Sequence, residues 1–251
     1  MNYCEFIQKV QSYQQKVETI CVNDYVVFDP CTFNISTYVG FFDKIYIHSG
    51  IRIDALYFHD STDGGPFLCG LKKGQNLDKA YEYIANYSRR IRGKFDKLPD
   101  SIGKGDDFIQ KKREYFKAFF KETDIRHFII PQDSEYGFLQ YLFFLEVGDL
   151  FALFWHSKYS LKYVITSLKK MDELIEHINK KSSKKVINNF NKSSLIPVVT
   201  KEHNCYQIIW YEYRNLKGIF RCTYRINRMS PFDIKLVNDI IIAKEKVNFC
   251  Y

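Results

Sequence analysis

Residues 55–73 read ALYFHDSTDGGPFLCGLKK, and residues 152–170 read ALFWHSKYSLKYVITSLKK. The two align without a gap at an offset of 97, with six identities in nineteen positions. Tyr57 faces Phe154, Phe58 faces Trp155 and Leu68 faces Ile165 in this alignment. A chain that repeats a segment has to bury the same kind of surface twice. The repeat therefore predicts an α+β fold of two duplicated helix–antiparallel sheet–helix units. LPDSIGKGDD at 98–107 has the Pro, Gly and polar residues of a linker and divides them. The first unit is expected over 1–97 and the second over 108–194. Residues 195–251 are too few for an independent core, and are expected to add antiparallel strands to the second unit.

Periodicity supplies the elements. Tyr3, Phe6, Ile7, Val10, Val17 and Ile20 recur at about 3.6 residues and predict a helix over 3–20. Residues 25–28 read as a strand. The segments 41–48 and 51–58 flank Ser49-Gly50 and predict a hairpin, with a further strand at 66–69. Residues 76–92 and 106–123 carry apolar stripes of helical period. Residues 125–130 predict a strand. YLFFLEV and LFALFWH, joined by Gly148-Asp149, predict a second hairpin. LKYVIT reads as a strand, and Ser167 opens a helix carrying Leu168, Met171, Ile175 and Ile178. Strands return at 195–200, 205–213 and 218–226, the last two joined at Asn215–Gly218. Ser230-Pro231 predicts a short helix start, and the C-terminal IIIAKEKVNFCY one more strand.

Composition narrows the function. Hydrophobic residues make up 46% and charged residues 26%, enough apolar matter for a core and too little charge for disorder. The chain has 19 Tyr and 22 Phe, so some rings are expected at a surface or groove. The net charge is +8, which favours acidic partners where the cations gather on one face. Nucleic acid is a possible partner by charge, but no nucleic-acid module signature is present. Seven cysteines lie widely spaced without a CxxC pair. That excludes a zinc-ribbon pattern and predicts reduced thiols in a cytoplasmic compartment. The N-terminus has no basic start followed by an apolar run, and no apolar stretch approaches membrane-spanning length. No motif implies a metal or cofactor. GGPFLCG lacks a following Lys-Ser/Thr and is no phosphate loop.

The candidate binding residues are basic and aromatic. Arg89, Arg90 and Arg92 cluster at a predicted helix end, where they also complement the helix dipole. Arg221, Arg225 and Arg228 form a second cluster. Arg221 and Arg225 are four apart on a strand, so they share a face, with Tyr224 on the other. Trp155 and Trp210 sit in strands apolar on both faces, which suits core burial or an exposed aromatic surface. Cys69, in an apolar strand, is expected to be a buried, inert thiol.

His59 and His156 occupy equivalent places in the repeat. His59-Asp60-Ser61 resembles the His-x-Ser/Thr signature of the two-histidine phosphoesterases, which carry one such histidine in each half. The resemblance implies metal-independent hydrolysis of a phosphodiester, the histidines acting as acid and base. His156-Ser157-Lys158 departs from the signature in the second half. Residues 41–65 also resemble the strand pattern of jacalin-type lectins, without a sugar site to carry over. The sequence lacks a dense polar constellation. The primary expectation is therefore a non-catalytic binding protein for a protein or acidic partner, with the paired-histidine hydrolase as alternative.

Overall fold

The computed structural model describes residues 2–22, 25–29, 31–60, 63–75, 123–148, 162–181 and 195–245. The helices expected at 76–92 and 106–123 lie outside these residues, apart from Thr123 itself.

The fold is mixed α+β, with small antiparallel sheets flanked by helices and a larger C-terminal antiparallel sheet. Helix α1, Tyr3–Gln14, begins with a reciprocal cap. The Asn2 side chain accepts from the Glu5 N–H at 2.9 Å, and the Glu5 carboxylate accepts from the Asn2 N–H at 3.2 Å. The helix stops short of the expected 20, because Thr19-Ile20-Cys21-Val22 is rich in β-branched residues and forms strand β1. Strand β1, Thr19–Val22, pairs with β2, Tyr25–Phe28. A short helix α2 follows at Ile35–Val39.

The hairpin expected around Ser49-Gly50 does not form. Strand β3, Ile45–Ile47, pairs instead with β6, Ile129–Pro131, far along the chain. Strand β4, Ile51–Asp60, pairs with β5, Asp63–Lys72, so the hairpin turns at the Asp- and Gly-rich segment one strand later. The strand expected at 125–130 is split, with a 3-10 turn over Ile125–His127 preceding β6.

A second correction concerns YLFFLEV, which is helical. Helix α3, Glu135–Glu146, starts at Ser134, whose Oγ accepts from the Gly137 N–H at 3.0 Å. Every residue from Gly137 to Phe144 is buried. A helix covered on all sides has no polar stripe, so its run looks like a buried strand. Residues 138–146 are thus helical where their counterparts 41–49 pass through turn and β3.

Strand β7, Lys162–Ile165, precedes helix α4, Leu168–Lys181. Strands β8, Val198–Lys201, β9, Cys205–Arg214, β10, Gly218–Asn227, and β11, Ile234–Lys244, complete the chain. They form the large sheet in the order β11-β10-β9-β7, with β8 also pairing β9. The C-terminal strands therefore extend from β7. Gly218 makes the β9–β10 turn possible. Its φ is +115°, and a Cβ there would meet the Ala243 carbonyl oxygen at 1.9 Å. Ser230-Pro231 starts no helix; it lies in a bend between β10 and β11.

Both faces of this sheet receive a helix layer. Phe6 and Val10 of α1 and Phe138, Leu142 and Phe143 of α3 pack with Ile208, Trp210 and Tyr224 of one face. Aromatic edges lock this core, with Phe6 to Phe143 at 5.6 Å and Phe143 to Trp210 at 6.4 Å between centroids. On the opposite face Met171, Ile175 and Ile178 of α4 pack against Ile165, Ile219 and Ala243. The Gln11 side chain serves β7 as a strand would. It donates to the Val164 carbonyl at 3.2 Å and accepts from the Val164 N–H at 2.7 Å.

Candidate functional site

The strand register places every charged side chain of the large sheet on one face or the other. Trp210 and Glu212 of β9 face Cys222 and Phe220 of β10, and Arg214 and Lys162 lie along the same side. This is the face under α1 and α3. Glu212 is fully buried there. Its carboxylate accepts from the Trp210 indole at 2.7 Å, the Arg214 Nε at 2.6 Å and the Tyr224 hydroxyl at 3.3 Å. Arg214 also donates to Asp239 at 2.9 Å and to the Cys222 sulfur at 3.1 Å, with its guanidinium over the Phe220 ring. Lys162 meets Glu146 at 2.8 Å.

The acids keep the two bases protonated. Burial alone would lower Lys162, but Glu146 and Glu212 outweigh it and raise its pKa. The same contest raises Arg214, where Glu212 opposes burial. Burial, reinforced by Glu212, pushes the Cys222 thiol up to about 12 and keeps it neutral. With its oxygens occupied and no exposure, Glu212 is a structural carboxylate.

The outer face alternates with this one. Arg221 of β10 lies between Tyr211 of β9 and Ile240 of β11. Arg225 lies between Gln207 and Lys235, and Thr223 between Ile209 and Asn238. Helix α4 covers only the end of this face at Tyr211, Tyr213, Ile219 and Ala243. Beyond it Arg225, Lys235 and Asn238 are exposed, and Ile209, Arg221 and Thr223 are half-buried. Val198 of β8 is 52% exposed and Ile240 of β11 is 45% exposed. Arg221, Arg225 and Lys235 give this grid three cations. Among the described residues the acid that pairs here is Glu202, 3.6 Å from Arg225.

The structure thus divides the expected cluster. Arg221 and Arg225 share the outer face, with Tyr224 opposite and buried, as their spacing predicts. Arg228 stands apart and binds Asp133, with contacts of 2.9 and 2.6 Å. Arg228, Tyr206 and Lys201 hold the Asp133 carboxyl well below the usual carboxylate range. Trp210 presents no binding surface, being 1% exposed in the core. Cys69 is buried, and burial pushes its thiol up to about 12. His59 is a β4 residue opposite Gly64. His156, Trp155, Arg89, Arg90 and Arg92 lie outside the described residues.

A cleft that the sequence did not announce opens beside α3, with a volume of about 700 Å3. Its lining includes His48, Arg126, His127, Tyr141, Phe232 and Asp233, drawn from separate parts of the chain. Among the described residues, no group of three or more His, Cys, Asp or Glu is placed to hold a metal ion. No helix there is long and apolar enough to cross a membrane. No protein family, curated protein or solved structure matches this chain.

Proposed function

We propose that this chain is a non-catalytic binding protein that recognises an acidic protein partner through the outer face of its C-terminal sheet. The observation that carries this reading is the unbalanced charge of that face. Arg225 pairs directly with Lys235, and Arg221 lies four residues along the same strand face, bordered by exposed Val198 and Ile240. Arg221 has no ion-pair partner among the described residues. Cations held on a rigid sheet beside small apolar surfaces suit carboxylates on a partner, with the aliphatic side chains excluding water around them. The unpaired Cys4, Cys31, Cys69, Cys205 and Cys222 fit a reducing, cytoplasmic setting.

Fluorescence anisotropy with a labelled polyglutamate peptide tests the reading. Binding is expected at about 0.1 M salt and is expected to be largely lost at about 1 M, where charges are screened beyond a few ångströms. A polyglutamine peptide of the same length is expected not to bind. Equal binding of the two peptides would refute recognition by charge.

A further inference from the structure

The cleft beside α3 is lined by two groups of different chemistry. Arg126 and His127 from the 3-10 turn and His48 from the end of β3 form the first. Phe232 and Asp233 from the segment joining β10 to β11 form the second. Tyr141 of α3 lines the cleft as well, its ring 5.8 Å from that of Phe232 and its hydroxyl under the influence of both Arg126 and Asp233.

The donors on this surface are unspent. Tyr141 is 2% exposed, yet its hydroxyl makes no hydrogen bond among the described residues. Burial pushes it up to about 12, so it remains a neutral O–H donor. Buried hydroxyls are almost always hydrogen-bonded, so an isolated one lining a cleft marks the place of a ligand acceptor. Arg126 gives Nε and Nη2 to Asp124, which leaves Nη1 over. The His48 and His127 rings are exposed and make no hydrogen bond or ion pair among the described residues. On the acceptor side, Glu146 is held by Lys162 at 2.8 Å, whereas among the described residues the Asp233 side chain has only Asn227 at 3.5 Å.

A fitting ligand brings an anion to the first group, a hydroxyl or ether oxygen to Tyr141, and a flat group with N–H donors to the second. We infer that the cleft binds a nucleoside monophosphate with an amino-bearing base. Its phosphate meets Arg126, His127 and His48, its ribose accepts from Tyr141, and its base lies on Phe232 and donates to Asp233. Guanine suits Asp233 best, since its adjacent ring and amino N–H groups match the two oxygens of a carboxylate. The volume falls within the range of small-ligand sites, about 300–1,000 Å3, and leaves room for a mononucleotide.

Isothermal titration with guanosine monophosphate, guanosine and inorganic phosphate tests the assignment on the full chain. The monophosphate is expected to bind at least about tenfold tighter than either fragment, because each group of residues engages one end. Tyr141→Phe is expected to weaken it about tenfold without lowering the melting temperature, since the lost hydroxyl has no protein partner. His127→Gln should weaken the monophosphate and inorganic phosphate but not guanosine. Asp233→Asn should weaken the monophosphate and guanosine but not inorganic phosphate. Absence of binding at millimolar monophosphate would overturn the proposal. So would unchanged affinity in a folded Tyr141→Phe protein, or inorganic phosphate binding as tightly as the nucleotide.

Discussion

The two faces of the C-terminal sheet are built by alternate residues of the same strands, yet they treat charge in opposite ways. On the inner face Glu212 meets Arg214, Arg214 meets Asp239, and Lys162 meets Glu146. On the outer face, among the described residues, Glu202 is the acid that pairs, with Arg225 at 3.6 Å. The difference follows from water. A charge taken out of water has to find its counter-charge within the fold. A solvated charge does not, so repulsion among the outer cations is mild and their field stays available to a partner. Inner charges therefore belong to stability, and the recognition proposed above falls to the outer ones. Each assignment has its own experimental signature.

The largest expected effect is at Glu212. Glu212→Ala strips an acceptor from Trp210, Arg214 and Tyr224 at once, and is expected to cost about 3–5 kcal/mol. Urea unfolding measures this, and a loss below about 1 kcal/mol would break the contrast between the faces. Next comes Gln11→Leu, which leaves the Val164 N–H and carbonyl without their partner. A loss of about 1–3 kcal/mol is expected by the same method.

A smaller effect is expected at Asp133, on the rim. Its folded pKa is depressed, so its stabilisation is present above the ordinary unfolded value of about 3.9. That stabilisation is lost as pH falls through the lower folded value. The carboxylate is half exposed, so solvent screening keeps the contribution small. Thermal melts of wild type and Asp133→Asn are expected to differ near neutral pH and to converge in strong acid. A difference that persisted would assign the effect to something other than this ionisation. The smallest effect is expected for Arg221→Ser and Arg225→Ser, each within about 0.5 kcal/mol of wild type in urea.

The sheet was the most legible part of the chain. In β9 the alternation of Ile208, Trp210 and Glu212 with Ile209, Tyr211 and Tyr213 assigns each face, and four-residue spacing puts Arg221 and Arg225 together. The Glu212 signal was present as well, since a carboxylate in phase with buried Ile208 and Trp210 has to be paired. Helix α3 was misread because burial on every side erases the polar stripe that distinguishes a helix. The β3–β4 hairpin was misread because Ser49-Gly50 fixes a turn but not a pairing partner, and β3 found β6. The cleft had no local signature, because His48, Arg126, Tyr141 and Asp233 meet only once β3, α3 and the β10–β11 segment have packed.

The assignment of recognition to the outer face is tested most directly by paired charge reversals. Arg221→Glu with Arg225→Glu changes the outer face, whereas Lys72→Glu with Lys73→Glu makes the same change in net charge at exposed positions where β5 ends. Both proteins are expected to keep wild-type stability, and both are titrated with labelled polyglutamate. The account predicts that the arginine pair loses at least about tenfold in affinity while the lysine pair retains nearly all of it. Equal losses in the two would mean that net charge alone governs binding, and would contradict a specific role for the sheet face.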